Sequence, residues 1–311
     1  MIEKIIKGIR SPRRSAEYVT SNAMKKAGRK LIYTTYKNPT NPFDEDWDNL
    51  IILDACRFDT FSDVNTSLGD LEYRISPASG TLEWLRKTLD SNEYHDTVYV
   101  TANPRVNRYE NNFHDVIPAW KTHWNEELNV TTPSDLTDLT LQTAKKHQRK
   151  RIVTHFMQPH IPFIGEFGRE QVGVYDGVTK GRDRALGHEY TANEEPYVLL
   201  KRGEISPDII KEAYQENLEV VLEEVTDLVN KLDGKTIVTS DHGEMFGGRG
   251  WPIPRRQYGH PLYTASIALQ KVPWLVTGYE ERRTITEGEP NNKNDISDEK
   301  IQERLKDLGY R

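Results

Sequence analysis

Residues 213–244 read AYQENLEVVLEEVTDLVNKLDGKTIVTSDHGE, and three signals follow one another in them. Tyr214, Leu218, Val221, Val225, Leu228 and Leu232, preceded by Ile210, recur at three- and four-residue steps, the apolar stripe of one long amphipathic helix. Gly234 supplies a stop signal just beyond it. Residues 236–239 are then short and β-branched, as a buried strand should be, and the strand ends on the polar residues Ser240, Asp241, His242 and Glu244. Long helix, glycine turn and buried strand in that order are half of a βαβ unit, so the chain predicts an α/β fold with a mostly parallel sheet and helices on both faces.

Upstream strands fit the same plan. Residues 49–54 (NLIILD) are an uninterrupted apolar run, and residues 97–101 (TVYVT) and 151–156 (RIVTHF) are two more strand candidates. Residues 164–206 are rich in glycine and charge without a period, which predicts an insertion or lid. The Pro/Asn/Asp cluster at 38–47 (NPTNPFDEDW) closes off an N-terminal arm. The expected organisation is a basic amphipathic helical arm at 1–37, a catalytic domain at 38–285, and a polar linker with a short helix at 286–311.

Composition limits the function classes. The 311 residues carry a formal net charge of −6, yet residues 1–37 hold ten Lys and Arg against Glu3 and Glu17. Ile2, Ile5, Ile6 and Ile9, then Ala16, Val19, Ala23, Ala27 and Leu31, repeat at helical spacing within that basic arm. Such helices suit peripheral contact with an anionic membrane, or equally packing on the acidic body of the same chain. No nucleic acid is expected, because the body is acidic and carries no reading motif. No apolar run approaches the roughly 20 residues of a membrane span. The first segment lacks the apolar core of a secretory signal, and the single Cys56 fits a reducing compartment. A cytoplasmic protein is the expectation, with the inner membrane face as its place of peripheral contact.

In parallel sheets, ligands sit beyond the carboxyl ends of the strands. Those ends carry Asp54, then His155 and His160, then Asp241 and His242. Carboxylate and imidazole are the ordinary ligands of Zn²⁺ or Mn²⁺, and carboxylate also suits Mg²⁺ or Ca²⁺. Any one of these residues is commonly a turn or core residue; three strand ends together read as a site for one divalent metal ion.

The combination of TSDHGE (239–244), HFMQPHIPF (155–163) and YGHPLYTASIALQKVPWLV (258–276) resembles the sulfatase-like branch of the alkaline phosphatase superfamily over about residues 47–277. The resemblance implies an alkaline-phosphatase-like sheet and an enzyme acting on phosphate or sulfate esters. It also implies Asp54, Asp241 and His242 as metal ligands, His160 at the substrate or leaving group, and His260 near the transferring group. A nucleophile is implied at a helix start after the first strand, where ISPASGTLEWLRKTL (75–89) offers Thr81 first and Ser79 second. Thr81 would then also touch the metal, although helix capping is an equally ordinary use for it. Asn103 either holds a substrate oxygen or merely forms an Asn-Pro turn. Arg57 and Arg249 are weaker candidates for anion contact.

Two departures from the family narrow the reading. The Cys-x-Pro-x-Arg context of formylglycine sulfatases is absent, and so is the Asp-x-x-x-His pair of two-metal phosphatases. The expectation is therefore a single-metal hydrolase of phosphate or sulfate esters, chiefly phosphodiesters, working through a Thr nucleophile. Alternatives are a phospho-group transferase for lipid-linked or cell-surface glycan intermediates, and a non-catalytic binding protein.

Overall fold

The computed structural model describes residues 26–64, 68–174, 182–183, 186, 196–251 and 256–291. Nine strands are labelled in chain order: β1 Asn49–Asp54, β2 Gly69–Ile75, β3 Tyr94–Thr101, β4 Phe113–Pro118, β5 Arg151–Pro159, β6 Thr236–Ser240, β7 Met245–Arg249, β8 Arg256–Gly259 and β9 Lys271–Thr277. Seven of them form one sheet in the order β2-β9-β6-β1-β5-β3-β4, and β7 pairs with β8 in a separate hairpin. β6, β1, β5, β3 and β4 pair parallel, whereas β9 runs antiparallel to both β6 and β2.

β1 lies in the middle of the sheet, which is why NLIILD is apolar without alternation: all six residues are buried. Leu50 and Ile52 face Trp84, Leu85, Tyr99 and Val153. Ile51 and Leu53 face the other layer, with Leu218, Val221, Val225 and Ile152. Burying each such side chain stabilises the fold by about 1.5–3 kcal/mol.

The predicted long helix spans Pro207–Lys231, with Ser206 accepting from the Ile209 amide as its N-cap. Its stripe is buried from Ile210 to Leu228. Gly234 has φ +88°, and a Cβ there would lie 2.5 Å from Asp48 Oδ2, so conformation and space both call for glycine. On the opposite layer, the helix Thr81–Leu89 packs Trp84 and Leu85.

β2, β4 and β9 were not evident in the sequence. β2 is half exposed, and Pro273 interrupts β9 where a strand reading stops. Among the described residues, the stretch read as a period-free insertion includes the short helices Glu166–Gln171 and Pro196–Arg202. Tyr197 and Leu200 of the second join Ile161, Phe163, Ile210 and Tyr214 in a small separate core. Of the basic arm, residues 26–35 are helical, while residues 1–25 and, at the other end, residues 292–311, where the short helix is expected, lie outside the described residues.

Candidate metal centre

The carboxyl ends of β1, β5 and β6 converge because these strands are neighbours in parallel register. At the end of β1 the register with β5 shifts between Leu53 and Asp54. The chain then turns through Ala55 at φ +60°, an uncommon conformation for a residue with a Cβ. Two bonds hold that turn: the Ala55 amide donates to Asp241 Oδ1 (3.0 Å), and Tyr214 donates its hydroxyl to the Ala55 carbonyl (2.7 Å). The local cost of the turn thus ties the exit of β1 to the residue that ends β6.

Asp54, His155 and Asp241 are buried, and one ligand atom from each falls within 4.8 Å of the other two. His242 Nε2 lies 3.3 Å from Asp241 Oδ2 and 3.7 Å from Asp54 Oδ1. Its Nδ1 is 2.8 Å from the Gly243 carbonyl, a contact that places the proton on Nδ1 and turns the Nε2 lone pair inward. Thr81 is the first residue of its helix. Gly80 is the capping residue and contributes no side-chain bond, so Thr81 is not spent on capping. The Thr81 hydroxyl donates toward Asp54 Oδ2 (3.4 Å) and sits 3.2 Å from His242 Nε2.

Burial and the neighbouring Asp241 hold the Asp54 carboxyl well above its ordinary pKa. Burial pushes Asp241 up too, but His242, His155 and the Ala55 amide outweigh it and keep this carboxylate the charged one. Burial lowers His155 to about 4, so it is neutral and free to ligate. Two carboxylates this close do not both ionise unless a cation joins them. His155 Nε2 and Asp241 Oδ2 are buried without a hydrogen bond of normal geometry. The donor set therefore fits a divalent ion, with Thr81 and His242 at its edge.

A second group borders the first. His160, Glu244 and His260 bring ligand-type atoms within 4.8 Å of one another. The His260 and His242 rings are 4.7 Å apart, and the His260 and His160 rings 4.9 Å. Burial disfavours the His260 cation, but Glu244 at 3.3 Å more than restores it and raises its pKa. Burial, and then His260, hold His160 well below its ordinary value. Its Nδ1 is 2.7 Å from the Ile161 carbonyl.

The structure brings together Asp54, Thr81, Asn103, His160, Asp241, His242 and His260. Asn103 uses both side-chain atoms: Nδ2 donates to Asp54 Oδ2 (2.8 Å), and Oδ1 accepts from the Arg105 amide (3.0 Å). Ser79 is turned elsewhere, donating to the Pro261 carbonyl and accepting from the Thr264 amide, each at 3.1 Å. Arg57 is occupied by Asp59 and the Glu244 carbonyl. Arg249 is exposed on the β7–β8 hairpin. His155 stands among the ligand-type residues at the strand ends but outside the set the resemblance implies, and the sequence shows Glu244 only as part of the polar cluster that ends β6. His155 had a readable signal, a ligand residue near the end of a buried strand; Glu244 had none beyond its closeness to Asp241.

No family model matches the sequence, and no curated protein matches it. Among solved structures, the chain is similar to the C-terminal periplasmic domain of EcEptC from Escherichia coli in complex with Zn (TM-score 0.47, 13% identity, covering 78% of this chain and 75% of that one). It is also similar to the soluble domain of lipooligosaccharide phosphoethanolamine transferase A from Neisseria meningitidis (0.44, 10%, 74% and 75%). A third is the C-terminal periplasmic domain of phosphoethanolamine transferase EptC from Campylobacter jejuni (0.41, 12%, 73% and 77%). At these scores they are likenesses of chain path, and the placing of residues above rests on geometry alone. They do correct one expectation: the Escherichia and Campylobacter neighbours are periplasmic domains, so the cytoplasmic placement read from the sequence is withdrawn.

Proposed function

We propose that the protein is a phospho-group transferase of the sulfatase-like type, with Thr81 as the nucleophile and one divalent metal ion held among Asp54, His155 and Asp241, with Thr81 and His242 at its edge. One observation carries the reading: a hydroxyl at a helix start, free of capping duty, lies 3.4 Å from Asp54 and 3.2 Å from His242. A cation held there would lower the pKa of a hydroxyl and draw charge from a phosphoryl oxygen.

The chain's own residues supply the rest. The N-terminal end of the helix Thr81–Leu89 points free amides and its positive dipole end at an anionic group. Thr81 Oγ1 passes its proton to Asp54 Oδ2, toward which it donates, and bonds to phosphorus as the bond from phosphorus to the first alcohol breaks. His260, kept protonated by Glu244, hands a proton to that alcohol. His160 has its Nδ1 proton fixed on a carbonyl, so its Nε2 is free to take the proton of the incoming acceptor hydroxyl. The acceptor oxygen then bonds to phosphorus, the bond to Thr81 Oγ1 breaks and Oγ1 takes back its proton from Asp54, and the proton on His160 returns to the neighbouring His260. Asn103 orients Asp54 throughout.

With water as acceptor, the same residues would perform hydrolysis. Transfer is favoured because Leu82, Leu262 and Tyr263, all large and exposed, stand beside the opening and suit an amphiphilic substrate. A lipid-linked or glycan hydroxyl is the acceptor class that fits. The test is intact mass after acid quench of metal-loaded protein with a nitrophenyl phosphodiester, with and without a polyol acceptor. A phosphoryl adduct on Thr81 and a product carrying the polyol are expected. The phosphate monoester released to water, with no polyol ester, would move the reading to hydrolysis, and turnover retained in Thr81→Ala would remove the nucleophile.

A further inference from the structure

The helical segment 26–35 lies against the loop that leads to Thr81. Arg29 grips the buried Glu83 through both terminal guanidinium nitrogens. Tyr33 donates to the Pro77 carbonyl at 3.3 Å. Gly28 lets the backbone come so close that a Cβ there would lie 2.8 Å from Trp251 Cβ. Between this segment and the helix Thr81–Leu89 runs a groove of about 540 Å³, walled by Lys26, Lys30, Tyr33, Lys87 and Tyr263 over the Arg29–Glu83 pair.

Beside the groove, four large apolar or aromatic side chains meet solvent: Trp251 is 54% exposed, Leu262 41%, Leu82 40% and Tyr263 40%. They are neighbours. A Cβ on Gly80 would lie 2.8 Å from Leu262 and 3.5 Å from the His260 ring, so Leu262 stands next to the opening of the site. Trp251 exchanges backbone hydrogen bonds with Ala265, two residues from Tyr263. Arg86 donates to the Tyr263 hydroxyl at 3.0 Å.

Exposed apolar residues standing singly are ordinary, but a cluster ringed by Lys26, Lys30, Arg86 and Lys87 calls for a partner. Glu83, the one acid in the groove wall, is already neutralised by Arg29 and Lys87. Trp, Tyr and Leu flanked by Lys and Arg is the composition of surfaces that sit at the boundary between headgroups and acyl chains.

We infer that this face docks on a membrane surface containing anionic lipid: Trp251, Leu82 and Leu262 enter the headgroup region, the lysines of the groove meet lipid phosphates, and the opening at His160 and His260 is held against the bilayer. The inference names the substrate class of the proposed transferase, phosphate esters held in a lipid surface, and for that class it rests on the transferase reading. Docking itself needs neither metal nor ester, so its failure is distinguishable from a failure of the chemistry.

The test is co-sedimentation of the full chain, without metal or substrate, with vesicles of phosphatidylcholine alone and of phosphatidylcholine mixed equally with phosphatidylglycerol. Binding to the anionic vesicles is expected to be at least about tenfold stronger and to fall as salt is added. Tryptophan emission should shift to the blue on binding, and the shift should vanish in Trp251→Ser. The pairs Trp251→Ser with Leu262→Ser, and Lys26→Glu with Lys30→Glu, should each weaken binding about tenfold or more while melting as the parent does. Lys211→Glu with Lys231→Glu, on the helix across the sheet, should not weaken it. Anionic binding unchanged in both face pairs would assign adsorption to cations elsewhere in the chain and overturn the inference. Equal binding to both vesicle types, or tighter binding to a random-sequence oligonucleotide, would overturn it as well.

Discussion

Asn103 donates its amide to Asp54 Oδ2 at 2.8 Å, while its Oδ1 caps the short 3₁₀ helix Pro104–Asn112 through the Arg105 amide. One side chain thus joins the ends of β3 and β1 across the intervening β5, and fixes the rotation of a carboxylate that has few other partners. The Asn-Pro turn and a place in the site, two readings that compete in the sequence, are combined in a single residue.

Asn103→Ala is expected to lower affinity for Zn²⁺ or Mn²⁺ by about 10–100-fold, the usual result of losing a partner that orients a ligand. Loss of the cap should cost about 1 kcal/mol of stability in the same variant. Asn103→Ser separates the two effects, because its hydroxyl can still cap the Arg105 amide but is too short to reach Asp54. Calorimetric titration should find its metal affinity as weak as that of the alanine variant, with stability largely recovered. Parent-like affinity in Asn103→Ala would show that Asp54 is held by other means.

Thr81 and Ser79 are only two residues apart but face different surroundings. Thr81→Ala should reduce turnover by more than about a thousandfold and abolish any phosphoryl adduct, with an unchanged melting profile. Thr81→Ser should retain the adduct. Ser79→Ala should do the reverse of Thr81→Ala: the adduct persists, while the Thr264 amide loses its acceptor and stability falls by about 1–3 kcal/mol. Peptide mapping of quenched samples decides between the two hydroxyls.

How much of this was readable depends on the kind of signal. β1, β5 and β6 are buried on both faces, so their apolar runs announce a parallel sheet, and the residues just past their ends are legible as ligands. β2 and β9 pair antiparallel at one side of the sheet, and a proline in β9 hides it from a propensity reading. Thr81 could be placed at a helix start from the glycine turn and leucine spacing. What no spacing could say is that its hydroxyl turns inward while that of Ser79 binds the 261–264 loop. Glu244 lay four residues past the end of β6, and only the fold of the β7–β8 hairpin brings His260 back to it. Pairings between distant segments leave no local mark.

Metal binding should show in stability as well as in rate. Asp54 and Asp241 are a costly pair in the metal-free protein, and a cation that binds only the folded state adds about 2.7 kcal/mol at a hundred times its dissociation constant. For a chain of this size that raises the melting temperature by roughly 5 °C. Excess EDTA should reverse the gain. Asp241→Asn removes one negative charge from the pair, so its metal-free form should melt no lower than the parent, and added metal should scarcely move it. A full metal-induced shift in Asp241→Asn would place the ion elsewhere.

Glu83 links the arm to the nucleophile's helix, and its titration gives the pH at which that link weakens. Burial alone would raise its pKa, but hydrogen bonds and charge from Arg29 and Lys87 bring it from 4.5 down to about 2. The carboxylate binds its proton less tightly in the folded chain than in the unfolded one, so its contribution is fully present above about pH 4.5 and is lost as pH falls toward 2. Allowing for solvent screening at the partly exposed Lys87, the contribution is about 1–2 kcal/mol. Arg29→Met keeps most of the packing and removes the charge. Urea unfolding of parent and variant at stepped pH should give a stability difference that is largest above pH 5 and shrinks progressively toward pH 2. A difference that stayed constant over that window would mean that Arg29 acts through packing, and that the arm is not held to Glu83 by charge.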